Sequence, residues 1–299
     1  MKIVATGFSG MIGTELAKKL SKKYELVRLV RKISHVSSLP GGEAVWTPAD
    51  VSDWAKEIDG AHAVINLSGE SIAGKRWTPT QKKELISSRL TTTKALVEAI
   101  AKAKKKPKVF LSASAIGIYG PRDAAPLSES VDPGSGFLAD LCKEWERQAL
   151  KAQSPETRVV LLRTGIVLGR RGGALAKMLP PFRMGLGGPL GSGQQIMSWI
   201  HLQDEVDAIV YALENESIAG PVNLTAPNSV SMKGFAKSLG KALHRPALFP
   251  VPAFVLKLLL GEMSEMLLTG QNVKPTKLLD QGYRFRYPDL DGALEDLLR

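Results

Sequence analysis

Short apolar runs rich in β-branched residues alternate with helical patterns through the first two-thirds of the chain, and no other feature restricts its fold so strongly. The runs are KIVAT, ELVRLV, AVW, AVINLS, VFLSAS and RVVLLRT, and helical periodicity covers residues 11–22, 79–104 and 137–152 between them. Strict strand and helix alternation is the pattern of parallel strands joined by right-handed crossovers. The chain therefore reads as an α/β fold, a Rossmann-type doubly wound parallel sheet. After Gly165 the pattern changes. GRRGGALAKMLPPFRMGLGGPLGSGQQ reads as a loop too long for an ordinary connection. WIHLQDEVDAIVYAL follows, with Asp204 placed to cap a helix, then PVNLTAP as a strand and helices to the end.

Gly7, Gly10 and Gly13 lie directly after the first run and open the first helix. A dinucleotide needs a tight turn there, close backbone approach to its pyrophosphate, and tight helix-to-strand packing. Strand before, amphipathic helix after and a second strand ending near residue 30 supply the context that confirms such a motif. We read Gly7, Ser9, Gly10, Met11, Ile12 and Gly13 as the cradle. An NAD site carries Asp or Glu at the end of the second strand, whereas Val30-Arg31-Lys32 presents two cations and no acid. A guanidinium fork suits a phosphate dianion, so NADP(H) is the expected cofactor, with Arg31 and Lys32 as its phosphate partners. A solvated strand-end cation is the alternative for Arg31. Leu67 and Ser68 close the fourth run, where backbone faces ribose and pyrophosphate or simply turns. Asp50 is either an adenine acceptor or a turn cap.

We expect an NADP-binding Rossmann domain over residues 1–166 and a smaller C-terminal α+β lobe over 167–299, covering a cleft at the carboxyl edge of the sheet. The formal charge is +11, from 40 basic and 29 acidic residues, which permits anionic ligands. The cations are spread along helical patterns without interleaved aromatics, so no nucleic-acid partner is expected. One cysteine, Cys142, excludes an intrachain disulfide and favours a reducing compartment. The N-terminus lacks a secretory signal pattern, and the longest apolar run, FVLKLLL, is far too short to span a bilayer. A cytoplasmic protein with no membrane partner is the expectation. Four histidines, with no carboxylate cluster around His201, give no expectation of a metal. The helical faces leave the oligomeric state open.

The segments GFSGMIG, VINLSGESIAGKRWT, SSRLTTTKAL, SASAIGIYG, FLADLCKEWE, LRTGIVLGRRGGAL and NLTAPN resemble the extended short-chain dehydrogenase/reductase superfamily. More closely, they resemble its atypical epimerase-family branch, associated with nucleoside-diphosphate-sugar epimerases. LLTGQNVKPTKLLDQGYRFRYPDL is similar to that branch's own C-terminal segment, at about 245–295. The resemblance implies hydride transfer, with a Tyr acid/base, a Lys four residues later and an upstream hydroxyl. Anchored on Glu146, the helix offers Leu138 for the Tyr and Cys142 for the Lys, and a one-residue shift pairs Ala139 with Lys143. The dyad is absent, as the atypical branch implies.

Ser114 then matches the upstream hydroxyl, and Arg89 a position usually held by a structural Asn. Arg89 is read either as a contact to the nicotinamide ribose or a substrate anion, or as a helix cation. The resemblance carries cofactor contact over to Glu84, although five residues before Arg89 is a poor spacing for a shared face. Main chain at Ile166 and Val167 is implied against the nicotinamide carboxamide. Tyr119 is a substitute proton donor or a turn aromatic, and Cys142 a thiol acid/base or a buried inert thiol. Arg170, Arg171 and Arg183 suit an anionic small-molecule substrate such as a nucleotide sugar. The reading is an NADP(H)-dependent, epimerase-like oxidoreductase of an unidentified small-molecule substrate, or else a non-catalytic NADP(H)-binding sensor or scaffold.

Overall fold

The computed structural model describes residues 1–32, 39–122, 124–170 and 172–299. Along the chain come β1 (Lys2–Thr6), α1 (Met11–Leu20), β2 (Glu25–Val30), β3 (Gly42–Val45), β4 (Ala63–Asn66), α2 (Pro79–Lys102), β5 (Val109–Ala115), β6 (Pro126–Leu127), α3 (Phe137–Leu150) and β7 (Arg158–Thr164). Next are β8 (Ile166–Leu168), α4 (Gly173–Arg183), β9 (Ile196–Met197), β10 (Trp199–His201), α5 (Leu202–Glu214), β11 (Gly220–Leu224), β12 (Val230–Ser231) and α6 (Met232–Ala242). The chain ends with α7 (Ala253–Leu260), α8 (Glu265–Leu268), β13 (Asn272–Val273), α9 (Thr276–Asp280) and α10 (Leu290–Leu298).

Seven strands form the main sheet in the order β11-β7-β5-β4-β1-β2-β3, all parallel. Strand order reverses between β1 and β4, so the crevice for a ligand opens at their carboxyl ends. Because both faces are covered, the central strands β1, β4, β5 and β7 bury most of their side chains and alternate between two cores. Ile3, Ala5, Leu111 and Val160 pack with α1 and α5, whereas Val4, Phe110, Val159 and Leu161 pack with α2 and α3. A third core joins α4, α6 and α10 around Phe182, Trp199, Phe235 and Leu294 and builds the C-terminal lobe.

Two expectations are corrected. The long stretch after Gly169 is not loop throughout, because residues 173–183 form α4. Its glycines and prolines read as breakers, but Leu175, Leu179 and Phe182 recur on one face and bury in the third core. That burial outweighs poor intrinsic propensity. Asp204 does not cap α5. The cap is His201, whose ring nitrogen Nδ1 accepts from the Gln203 N–H at 3.0 Å. The Asp204 carboxylate is buried and accepts instead from the backbone N–H groups of Arg286 and Tyr287, each at 2.8 Å. It fastens the C-terminal segment to the Rossmann core.

Candidate functional site

The turn between β1 and α1 assigns each glycine a different task. Gly7 has φ +80°, and a Cβ there would lie 2.4 Å from the Leu67 carbonyl carbon and 2.6 Å from the Ser68 nitrogen. Only glycine lets this turn touch the end of β4. A Cβ on Gly13 would lie 2.4 Å from Phe8 Cα, so Gly13 seats the helix against the turn. At Gly10 the added Cβ would meet nothing closer than Gly7 O, at 3.4 Å. Among the described residues no contact requires glycine at Gly10, and its backbone is left open to approach from outside. Gly10 caps α1 without a side-chain hydrogen bond, and the first turn carries no acidic residue. The N–H groups of Met11, Ile12 and Gly13 and the positive end of the helix dipole suit an anion such as pyrophosphate. Ser9 is exposed beside them.

Around this turn the end of β4 is tied inward. Thr6 Oγ1 and Ser68 Oγ share a hydrogen bond of 2.6 Å, and the Ser68 N–H donates to Asn66 Oδ1. Asn66 Nδ2 donates to Thr93 Oγ1, which also accepts from the Trp145 indole. Arg31 and Lys32 stand exposed directly after β2, with no carboxylate partner among the described residues. Asp50 lies past β3 and lines an open cavity of about 540 Å³ with Val51, Leu90 and Lys94. Its N–H and carbonyl are bonded to Thr47 and the Trp54 indole. Across the crevice, Gly169, Gly172 and Gly173 pack on Met11, and a Cβ at Gly169 would lie 2.8 Å from its sulfur. The segment after β8 thus closes over the start of α1. Val167, buried in β8, pairs with Ile200 of β10. Arg170 bonds the backbone carbonyl of Arg299, Arg183 is exposed at the end of α4, and Arg171 lies outside the described residues.

The positions expected to carry chemistry are turned inward. Ser114 shares the α2/α3 face of β5 with Phe110 and donates to Glu146 Oε1 at 2.6 Å. Glu146 is held by Arg163 through two bonds of 2.9 Å, Nε to Oε1 and Nη2 to Oε2. Arg163 Nη1 donates to Tyr119 Oη, which donates to Asn223 Oδ1. All five residues are buried. Burial works against the Arg163 charge, and the paired carboxylate more than offsets it. Burial raises the Tyr119 phenol. Cys142 is fully buried against Gly117, and burial, followed by the Glu146 charge, pushes its thiol up to about 12. Lys143 faces away and pairs with Asp140. Arg89 is buried, donating to Leu85 O at 3.1 Å and Glu70 O at 3.0 Å, with its guanidinium 5.2 Å from the Trp145 ring. Glu84 is exposed elsewhere on α2.

One group was not singled out from the sequence. Glu205 is fully buried in the first turn of α5, accepts from Thr164 Oγ1 at 2.8 Å, and leaves Oε2 without a partner among the described residues. Burial pushes its carboxyl up to about 8. Thr164 is half-buried at the carboxyl end of β7. The signal was present: an acid at the fourth position of a helix whose neighbours, Val206 and Ile209, are core residues.

Comparison with known proteins agrees with this geometry. The model of the NAD dependent epimerase/dehydratase family matches residues 3–224, and a domain of unknown function, DUF1731, matches 251–297. The epimerase family protein SDR39U1 homolog, chloroplastic, of Arabidopsis thaliana is 40% identical, covering 100% of this chain and 87% of its own length. The epimerase family protein YfhF of Bacillus subtilis is 37% identical over 100% and 98%. The crystal structure of human epimerase family protein SDR39U1 with NADPH superposes with a TM-score of 0.91 at 36% identity, over 100% and 99% of the two chains. Glycine turn, sheet order and matched length converge, and the chain belongs to the NAD dependent epimerase/dehydratase family.

Proposed function

We propose that this chain is an NADP(H)-dependent, epimerase-like oxidoreductase acting on a small anionic substrate, in a cleft that lacks the Tyr and Lys dyad implied by the wider superfamily. The observation that carries the cofactor is the glycine turn. Among the described residues nothing requires Gly10 to be glycine, and the second strand is followed directly by Arg31 and Lys32 with no acid. NADPH in the human relative supports the same choice. When bound, the cofactor supplies hydride exchange at nicotinamide C4.

The chain's own residues handle binding and the proton. The α1 N-terminus receives the pyrophosphate, and Arg31 and Lys32 receive the 2′-phosphate. Ser114 is committed to Glu146, Tyr119 to Asn223, and Cys142 stays protonated. Thr164 Oγ1 lies half-buried at the carboxyl end of β7 and donates to Glu205; when that hydroxyl turns to give its proton to substrate, the Glu205 carboxyl, protonated below about pH 8, donates to Oγ1 in its place.

Fluorescence titration checks the cofactor assignment. NADPH should bind more tightly than NADH, and Arg31→Ala should shrink the gap roughly tenfold, since one charge-assisted contact is lost. Equal wild-type affinity for both cofactors overturns the role of Arg31. For the reaction, protein loaded with NADP(H) is screened at 340 nm against a metabolite library. The inward commitment of Ser114, Tyr119 and Cys142 favours one second reading, a non-catalytic NADP(H)-binding sensor, and a screen without any response supports it.

A further inference from the structure

Twelve large hydrophobic residues are exposed among the described residues, and seven of them, Met184, Leu186, Leu248, Phe249, Phe254, Leu258 and Leu259, belong to two segments of the C-terminal lobe. Those segments run side by side. Phe249 N–H donates to Gly187 O at 3.1 Å, Val251 N–H to Pro189 O at 2.9 Å, and Gly191 N–H to Val251 O at 2.9 Å. α7 begins two residues after Val251 and presents Phe254 and Leu258, 71% and 75% exposed, one turn apart. A soluble chain rarely concentrates so much exposed apolar surface without a use for it.

Charge decides what that use is. Residues 157–203 and 217–261 contain no Asp or Glu at all. Arg183, Arg245 and Lys257 stand exposed among the apolar side chains, with no carboxylate partner among the described residues. Arg245 is held there by bonding the backbone carbonyl of Arg183 at 3.2 Å. The next acid along the chain, Glu262, is paired with Lys82. A second copy docking on this face by two-fold symmetry would oppose these cations to their own mates. The patch has neither Trp nor Tyr, the residues on which protein interfaces concentrate binding energy. Protruding Phe and Leu rimmed by Arg and Lys match the headgroup region of an anionic bilayer.

We infer that this face, built from residues 183–191, 245–251 and α7, docks the protein peripherally on an anionic membrane surface. Phe254, Leu258 and Phe249 enter the acyl boundary, and Arg183, Arg245 and Lys257 contact lipid phosphates. No described helix is long and apolar enough to cross a membrane, so the protein lies on the surface.

The test is flotation of the full chain with vesicles of phosphatidylcholine alone or mixed with phosphatidylglycerol, at low and high salt. Wild type should float with the mixed vesicles at low salt and be released by high salt. Arg245→Gln with Lys257→Gln should weaken binding roughly thirtyfold, each cation near an anionic surface being worth about fivefold. Phe254→Ser with Leu258→Ser should weaken it about a hundredfold, while the thermal midpoint of both variants stays at the wild-type value because all four side chains are exposed. Failure of wild type to float with mixed vesicles at low salt overturns the inference, as does flotation of the serine variant at wild-type level. Sedimentation showing a dimer that the serine variant dissociates would assign the face to a second copy. Retention on polyglutamate without flotation would assign it to an acidic protein.

Discussion

Replacing Glu205 by Gln should remove a pH dependence built into the fold. The carboxyl is fully buried, its one partner is the Thr164 hydroxyl at 2.8 Å, and burial moves it from the ordinary 4.5 to about 8. Below pH 4.5 both folded and unfolded chains hold the proton, and the group's stabilising contribution is fully present. Above that pH the unfolded chain releases a proton that the folded chain keeps. Stability therefore falls by about 1.4 kcal/mol per pH unit until the folded group ionises near 8. By pH 7 the loss is about 3 kcal/mol, and above pH 8 it approaches 5 kcal/mol. Gln keeps the acceptor for Thr164 and never ionises. Its amide adds buried donors that cost about 1–2 kcal/mol, so the net gain at pH 8 is about 3 kcal/mol. For a chain of this length that is a rise in thermal midpoint of about 6 °C. Thermal unfolding of both proteins, followed by tryptophan fluorescence from pH 5 to 9, should show the curves separating as pH rises. Parallel curves would refute the burial argument, and with it the proton reserve assigned to Glu205.

Two further outcomes follow from the site. Gly7→Ala should lower stability by about 2–3 kcal/mol, because the positive φ and the Leu67 carbonyl carbon at 2.4 Å both oppose a Cβ; Gly10→Ala should leave the thermal midpoint nearly unchanged and weaken NADPH binding at least about tenfold, and equal effects on stability and binding for the two variants would contradict the division of labour. Cys142, with its thiol pushed up to about 12 by burial, should react with a thiol reagent at pH 8 only as fast as the protein unfolds, and rapid labelling of the native protein would count against its buried position.

The features legible in the sequence are those whose cause is local. Strands buried on both faces must be continuously apolar, and Ile3-Val4-Ala5, Ala63-Val64-Ile65 and Val159-Val160-Leu161-Leu162 announce themselves in that way. The glycine turn is legible for the same reason, since its three tasks fall within seven consecutive residues. α4 was hidden because Gly172, Gly173, Pro180 and Pro181 are local breakers, while the burial that makes it helical comes from α6 and α10. Asp204 sits where caps sit, and its real partners, Arg286 and Tyr287, are more than eighty positions away. The Ser114, Glu146, Arg163, Tyr119 and Asn223 network spans separations from 17 to 104 residues, and no local pattern signals it. Its orientation was nevertheless recoverable from strand parity. Ser114 and Arg163 share their strands' faces with Phe110 and Leu161, the side that α3 covers.

Strand parity also constrains where proton chemistry can reside. In the resemblance the acid/base pair sits on the helix that here is α3. In this chain Leu138 and Cys142 pack beneath Gly117, Trp145 holds Thr93, and Glu146 holds Arg163. Each inward position of α3 is therefore spent on packing or on a closed ion pair, and changing any of them would disturb the core before it supplied a proton. Along β7, Arg163 faces α3 and the next residue, Thr164, faces α5. The step of one residue moves from a closed network to a half-buried hydroxyl backed by a carboxylic acid that can titrate near neutrality. If the protein turns over substrate, Glu205→Gln should depress turnover below about pH 8, where the wild-type carboxyl still holds its proton, and raise stability most at and above that pH, while Glu146→Gln should lower both through the loss of a buried charge pair. A variant of Glu205 that gains stability and keeps full turnover across that pH range would place the proton source outside the chain, in substrate or water.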